Sequence, residues 1–214
     1  MNRPFAFQSA ASLVKHTGYS ADNVRALLRG LQRVPGSSIF YHVHHALFRR
    51  HFTIGEFMND FARWALTALG EEALAERLSA VDPLHCQSVR EARNELVRVI
   101  SEQLGASEYV AHVPSGKRFF FSQAQTFVFP TGRSAAGLRE FGQEVQRVGV
   151  DTIFHHFVTA PLRLGRKDND FSAWLRDELG EPDLAHQVAE LSPYSYDLYR
   201  LRERIGDLVE RRLH

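Results

Sequence analysis

Residues 59–64 read NDFARW and residues 169–174 read NDFSAW. A polar, acidic and aromatic phrase that occurs twice in one chain decides how the rest is parsed. From Asn59 to Pro83, ten of twenty-five residues recur 110 positions later, including Trp64 over Trp174 and Leu-Gly-Glu at 69–71 over 179–181. Upstream, residues 7–46 lie over 121–160 without a gap, with fifteen identities in forty, among them Thr17/Thr131, Gly18/Gly132 and His42/His156. Identity this dense at a fixed offset predicts a tandem duplication of one unit of roughly 100 residues. A first repeat is expected at 1–106, a linker at 107–118 and a second repeat at 119–214, related by a pseudo-twofold axis.

Within each unit the pattern is mainly helical. The Phe-rich openings, FAFQSAASLV in the first unit and FFFSQAQTFVF in the second, read as one short extended segment or strand each. If they are strands, pairing with one another is the simplest way to satisfy their edges, so α+β is the alternative to mainly α. A Thr-Gly turn is expected next, with Ser20 and Ser134 as N-caps of the following helix. That helix buries Val24, Leu27, Leu28 and Leu31, or Leu138, Phe141 and Val145. Ile39, Val43 and Leu47 mark one stripe of a second helix. The NDF helices end at Gly70 and Gly180, and Glu71 and Glu181 open the next ones. A capping box from Ser88 to Glu91 starts the last helix of the first unit.

Composition narrows the function classes. There are 26 basic and 25 acidic residues, so formal net charge is +1 and a globally basic nucleic-acid binder is excluded. Hydrophobic residues at 44% and charged residues at 24% describe an ordinary globular protein. The single cysteine, Cys86, rules out an intramolecular disulfide and a cysteine-based metal cluster. No run approaches the ~20 apolar residues of a membrane span, and the start of the chain has no signal-like apolar stretch. A cytoplasmic protein without membrane or nucleic-acid partners is expected.

The strings VPGSSIFYH (34–42), NDFARW (59–64) and LGEEALA (69–75), with VGVDTIFHH, NDFSAW and LGEPDLA in the second half, carry a resemblance. The chain resembles a family of uncharacterised bacterial and archaeal proteins, classed as a domain of unknown function. The resemblance covers nearly the whole chain and implies the fold unit, with no catalytic residue. Some similar proteins sit beside sugar-metabolising glycosyltransferase domains, which implies a link to sugar metabolism.

Asn59-Asp60-Phe61 has a complete structural explanation. Asn is a strong N-cap, an acid in the first turn complements the helix dipole, and Phe61 and Trp64 form an apolar i, i+3 pair. His42 and His156 occupy matching places, each followed by an NDF acid, Asp60 or Asp170. A histidine with a carboxylate suits acid–base work or metal binding, or joins two helices by a hydrogen bond. The cluster HVHHALFRRH at 42–51 places His42 and His45 at i, i+3, but its counterpart carries no matching ligands, so no metal site is expected. Arg49 and Arg50, and Arg163 and Arg166, precede the two NDF helices and suit an anion pocket. No P-loop, dinucleotide fingerprint or nucleophile elbow occurs.

These readings favour a non-enzymatic binding or regulatory module that recognises a protein or an anionic, phosphorylated metabolite. The candidate ligand-binding residues are His42, His156, Asp60, Asp170, Arg49, Arg50, Arg163 and Arg166, with no catalytic residue, metal or cofactor assigned. The alternative is a metal-dependent or acid–base enzyme using His42 with Asp60, or His156 with Asp170.

Overall fold

A computed structural model describes residues 2–49, 59–82, 86, 88–106, 112–161, 168–193 and 195–214. The chain alternates one long strand with a run of helices, twice. β1 (Phe5–Ala21) leads to α1 (Val24–Arg33), α2 (Gly36–Arg49), α3 (Asp60–Trp64), which continues into a π-helical turn at Ala65–Leu69, α4 (Glu72–Ser79) and α5 (Val89–Ala106). A 3₁₀ turn (Ser115–Lys117) precedes β2 (Phe119–Ala135). Then come α6 (Leu138–Arg147), α7 (Val150–Ile153) with a π-helical turn at Phe154–Val158, α8 (Asp170–Asp177), α9 (Pro182–Ala189) and α10 (Leu198–Leu213).

Two expectations are corrected here. The Phe-rich segments are not short, and the chain is not a tandem array of two self-contained, pseudo-twofold helical units. Each strand runs for 17 residues, and the two pair in a two-stranded sheet. The Thr17 hydroxyl donates to the Phe121 carbonyl (2.8 Å) and the Thr131 hydroxyl to the Phe7 carbonyl (2.8 Å), so the strands run antiparallel. The chain divides into an internal unit, Ser12–Gln125, and a discontinuous unit, Met1–Ala11 with Thr126–His214. The division passes through both strands, so the first residues of each strand belong with helices distant in sequence. The physical reason is apolar burial: Phe5 and Phe7 pack with Phe141 and Phe171, while Phe119 and Phe121 pack with Phe61.

The strands outrun their expected length because Thr-Gly does not end them. Gly18 and Gly132 sit inside the strands at φ +85° and +77°, a conformation open to residues without a Cβ. The preceding threonine repairs the ladder there. Its hydroxyl donates across the sheet and accepts the N–H of Tyr19 or Arg133 (3.2 Å each). Ser20 and Ser134 therefore lie within strands, and the N-caps are Asn23, whose side chain accepts from Ala26 N–H, and Gly137.

The helices bury most of the faces that their spacing implies, but Leu138 is half-buried and the Leu47 side chain lies outside the described residues. In the internal unit Leu27, Leu31, Ile39, Val43, Phe61, Leu74, Leu78, Leu96 and Ile100 form one core around Phe119 and Phe121, with Leu28 at its margin. In the discontinuous unit Phe141, Val145, Ile153, Phe171, Leu184, Val188, Leu201 and Ile205 are buried, as are Phe5 and Phe7. The turns after α3 and α8 close at Gly70 and Gly180, both left-handed. Ser88 accepts from the Glu91 N–H (3.1 Å), as its capping role requires.

One close approach sets a testable constraint. A Cβ at Gly30 of α1 would stand 2.3 Å from the Phe121 ring. That ring is fully buried and cannot step aside. Gly30→Ala therefore destabilises the protein by about 1–3 kcal/mol through overpacking, despite alanine's better helix propensity. Denaturant unfolding of the variant measures it.

Candidate functional site

The NDF helices begin as their sequence dictates. Asn59 accepts from Ala62 N–H (2.9 Å) and donates to the Leu78 carbonyl (2.8 Å). Asn169 accepts from Ser172 N–H (2.9 Å), and the Ser172 hydroxyl returns the contact to complete a capping box. Capping leaves the next residue, Asp60 or Asp170, free to point sideways from the first turn.

Each aspartate meets the histidine anticipated for it. His42 of α2 stands with Nδ1 2.9 Å from Asp60 Oδ2, and His156 of the π-helical turn with Nδ1 2.7 Å from Asp170 Oδ2. The opposite ring nitrogen decides the chemistry. His42 Nε2 accepts the backbone N–H of Ser122 (2.9 Å), and His156 Nε2 accepts that of Gln8 (2.8 Å). A peptide N–H can only donate, so each Nε2 presents its lone pair, and in the neutral ring the proton rests on Nδ1, facing the carboxylate. Both histidines are about 4% exposed.

The tryptophan of the same phrase completes the grip. Trp64 Nε1–H donates to the Lys117 carbonyl (2.8 Å) and Trp174 Nε1–H to the Arg3 carbonyl (2.7 Å). Phe61 lies 5.1 Å from Phe119 and Phe171 lies 5.3 Å from Phe5, ring centre to ring centre. The elements of NDFxxW and the upstream histidine thus hold the start of a strand by one of its amides and its phenyl rings, and by a carbonyl two residues before it. In the internal unit the strand held is Phe119–Ser122, and in the discontinuous unit Phe5–Gln8.

This geometry constrains the enzyme alternative. A general base needs an available lone pair, and a metal ligand likewise. Each histidine commits its lone pair to the strand and its proton to the aspartate. His155, His156 and Asp170 do bring one donor atom each within 4.8 Å of one another. For His156 to ligate a cation there, the Gln8 or the Asp170 hydrogen bond would have to break. Cys86 is also unsuited to nucleophilic work: burial first, then Glu91, Asp82 and Glu95, pushes its thiol up to about 11.

An open cleft adjoins each grip. In the internal unit it has a volume of about 350 Å³ and is lined by His42 and Asp60 together with Tyr41, Arg63, Thr67, Arg118 and Phe120. Arg63 donates to Asp60 Oδ1 (2.8 Å) with its side chain 56% exposed, and the Arg118 guanidinium stands 4.0 Å from Asp22, beyond hydrogen-bond reach. In the discontinuous unit the cleft holds about 360 Å³ beside His156 and Asp170, among Arg3, Trp174, Asp177 and Glu178.

The chain belongs to the family of unknown function DUF5752. The family matches residues 2–210. The chain is also similar to the solved structure of OrfY from Thermoproteus tenax, at 31% identity over 98% of this chain and 95% of that one, with a TM-score of 0.81. No curated protein matches the chain. No helix among the described residues is long and apolar enough to cross a membrane.

Of the sequence candidates, His42 and Asp60 are brought together, as are His156 and Asp170. Arg50, Arg163 and Arg166 lie outside the described residues, and Arg49 ends α2 with its side chain outside them. Among the cleft residues not singled out from sequence are Arg63 and Arg118. Arg63 carried a legible signal, its i, i+3 spacing from Asp60. Arg118 carried none beyond adjoining the Phe-rich strand.

Proposed function

We propose that the protein is a non-enzymatic binding and regulatory module whose ligand is a small anionic, phosphorylated metabolite, taken in the cleft of the internal unit. The observation that carries this reading is the pair Arg63 and Arg118 at a cleft whose other charged pair, His42–Asp60, is already engaged in holding a strand. Guanidinium groups recognise phosphate oxygens in two-pronged fashion. The exposed Phe120 ring and Tyr41 offer apolar faces alongside, and about 350 Å³ is within the range of small-ligand pockets. The glycosyltransferase association implied by family resemblance makes sugar phosphates the first compounds to test.

The competing reading, an acid–base or metal-dependent enzyme at His42/Asp60 or His156/Asp170, requires a strand to be released before the ring can act. A thermal-stability panel of phosphorylated sugars and nucleotides separates them. A ligand that binds the native state raises stability, by about 2.7 kcal/mol at a hundredfold excess over its Kd. At least one phosphorylated compound is expected to raise the midpoint in the wild type and to lose that effect in Arg118→Ala. No shift with any compound at millimolar concentration removes the proposal.

A further inference from the structure

The two clefts adjoin the same kind of grip, yet their charges are opposed. Around the internal cleft stand two arginines, Arg63 and Arg118, against one carboxylate, Asp60. Around the other stand three carboxylates, Asp170, Asp177 and Glu178, against one arginine, Arg3. Two helix positions account for part of the difference, Glu178 against Ala68 and Arg118 against Pro4 for the rest. The residue three after the NDF acid is Arg63 in one case and Ala173 in the other, and the residue seven after it is Thr67 or Asp177. Arg176 offsets Asp177 but brings in a further carboxylate, Asp168, so the excess stands. It is bound to Asp177 (2.8 Å) and to Asp168 (2.9 Å), and those contacts, Asp177 first, raise its pKa further above the ordinary arginine value. Glu178 accepts the Arg3 backbone N–H (2.8 Å).

We infer that the chain binds one anion rather than two, in the internal cleft alone, and that residues 63 and 67 against 173 and 177 help set that selectivity. The inference rests on the anion-binding reading above. An anion entering the second cleft would sit within a Debye length of three carboxylates, about 8 Å at physiological ionic strength, so repulsion there is not screened away. In the first cleft the same anion meets Arg118, whose ion pair with Asp22 is long, at 4.0 Å. It draws Arg63 from Asp60, whose other oxygen stays bound to His42.

The chain's two tryptophans make the test direct, because Trp64 lines one cleft and Trp174 the other. Nitrogen-15 labelling of the full chain gives one indole N–H signal per cleft, assigned with Trp174→Phe. On titration with inorganic phosphate and then a hexose 6-phosphate, the Trp64 signal is expected to move saturably while Trp174 stays still. Arg118→Ala weakens that response at least about tenfold, the worth of a charge-assisted contact. Ala173→Arg with Asp177→Thr gives Trp174 a response of its own. Movement of both signals in step in the wild type overturns the one-site inference and leaves anion binding standing. Two intact signals that both ignore every anion overturn both.

Discussion

Replacing His42 with alanine lowers stability by about 3 kcal/mol, because one side chain closes two buried hydrogen bonds. Its removal strands the Ser122 N–H and takes from Asp60 the donor on Oδ2, leaving Arg63 on Oδ1. It also opens a gap beside Phe119, whose ring lies 4.8 Å from the imidazole. For a chain of this length the loss corresponds to about 6–12 °C in Tm. Hydrogen exchange locates it, with the Ser122 amide losing its protection first. A residue reserved for catalysis behaves otherwise: its removal abolishes chemistry and leaves stability near the wild-type value. An unaltered melting curve for His42→Ala would sink the structural assignment.

Phe121→Ala has a still larger effect, about 3–5 kcal/mol, the range for deleting a buried phenyl ring. The ring is fully buried, sits against Gly30, and stands 4.9 Å from Phe119 and 6.2 Å from Phe61. Its neighbour supplies the control. Phe120 is 53% exposed on the opposite parity of the strand, so Phe120→Ala changes stability by no more than about 0.5 kcal/mol. Equal losses at 120 and 121 would show that the strand is not seated as described.

Much of the site was legible in the sequence for local reasons. Asn59 and Asn169 announced helix starts because capping is a short-range bond between a side chain and an amide three residues on. The pairing of His42 with Asp60, and of His156 with Asp170, followed from matched types at matched intervals. What escaped was the other end of each histidine. Its partner is a backbone N–H, and Ser122 or Gln8 donates that bond whatever its side chain, so no residue type marks it. The strands were cut short because Thr-Gly reads as a turn, and nothing in the letters shows a threonine hydroxyl standing in for a ladder bond. The division into units escaped for a related reason. Likeness between Phe5-Ala6-Phe7 and Phe119-Phe120-Phe121 says which residues are similar, not which helices bury them. That choice is made by long-range packing, and it places each phenylalanine pair against helices far away in the chain.

The central claim is that His42 and His156 are fixed hydrogen-bonded links between helix and strand. Nitrogen-15 NMR of histidine-labelled protein at neutral pH reads it most directly. The account predicts that both rings are neutral with the proton on Nδ1, the less common tautomer. It also predicts a coupling through the hydrogen bond from the Ser122 amide to His42 Nε2, and from the Gln8 amide to His156 Nε2. Protons on Nε2, or rings that exchange freely between tautomers, would contradict it.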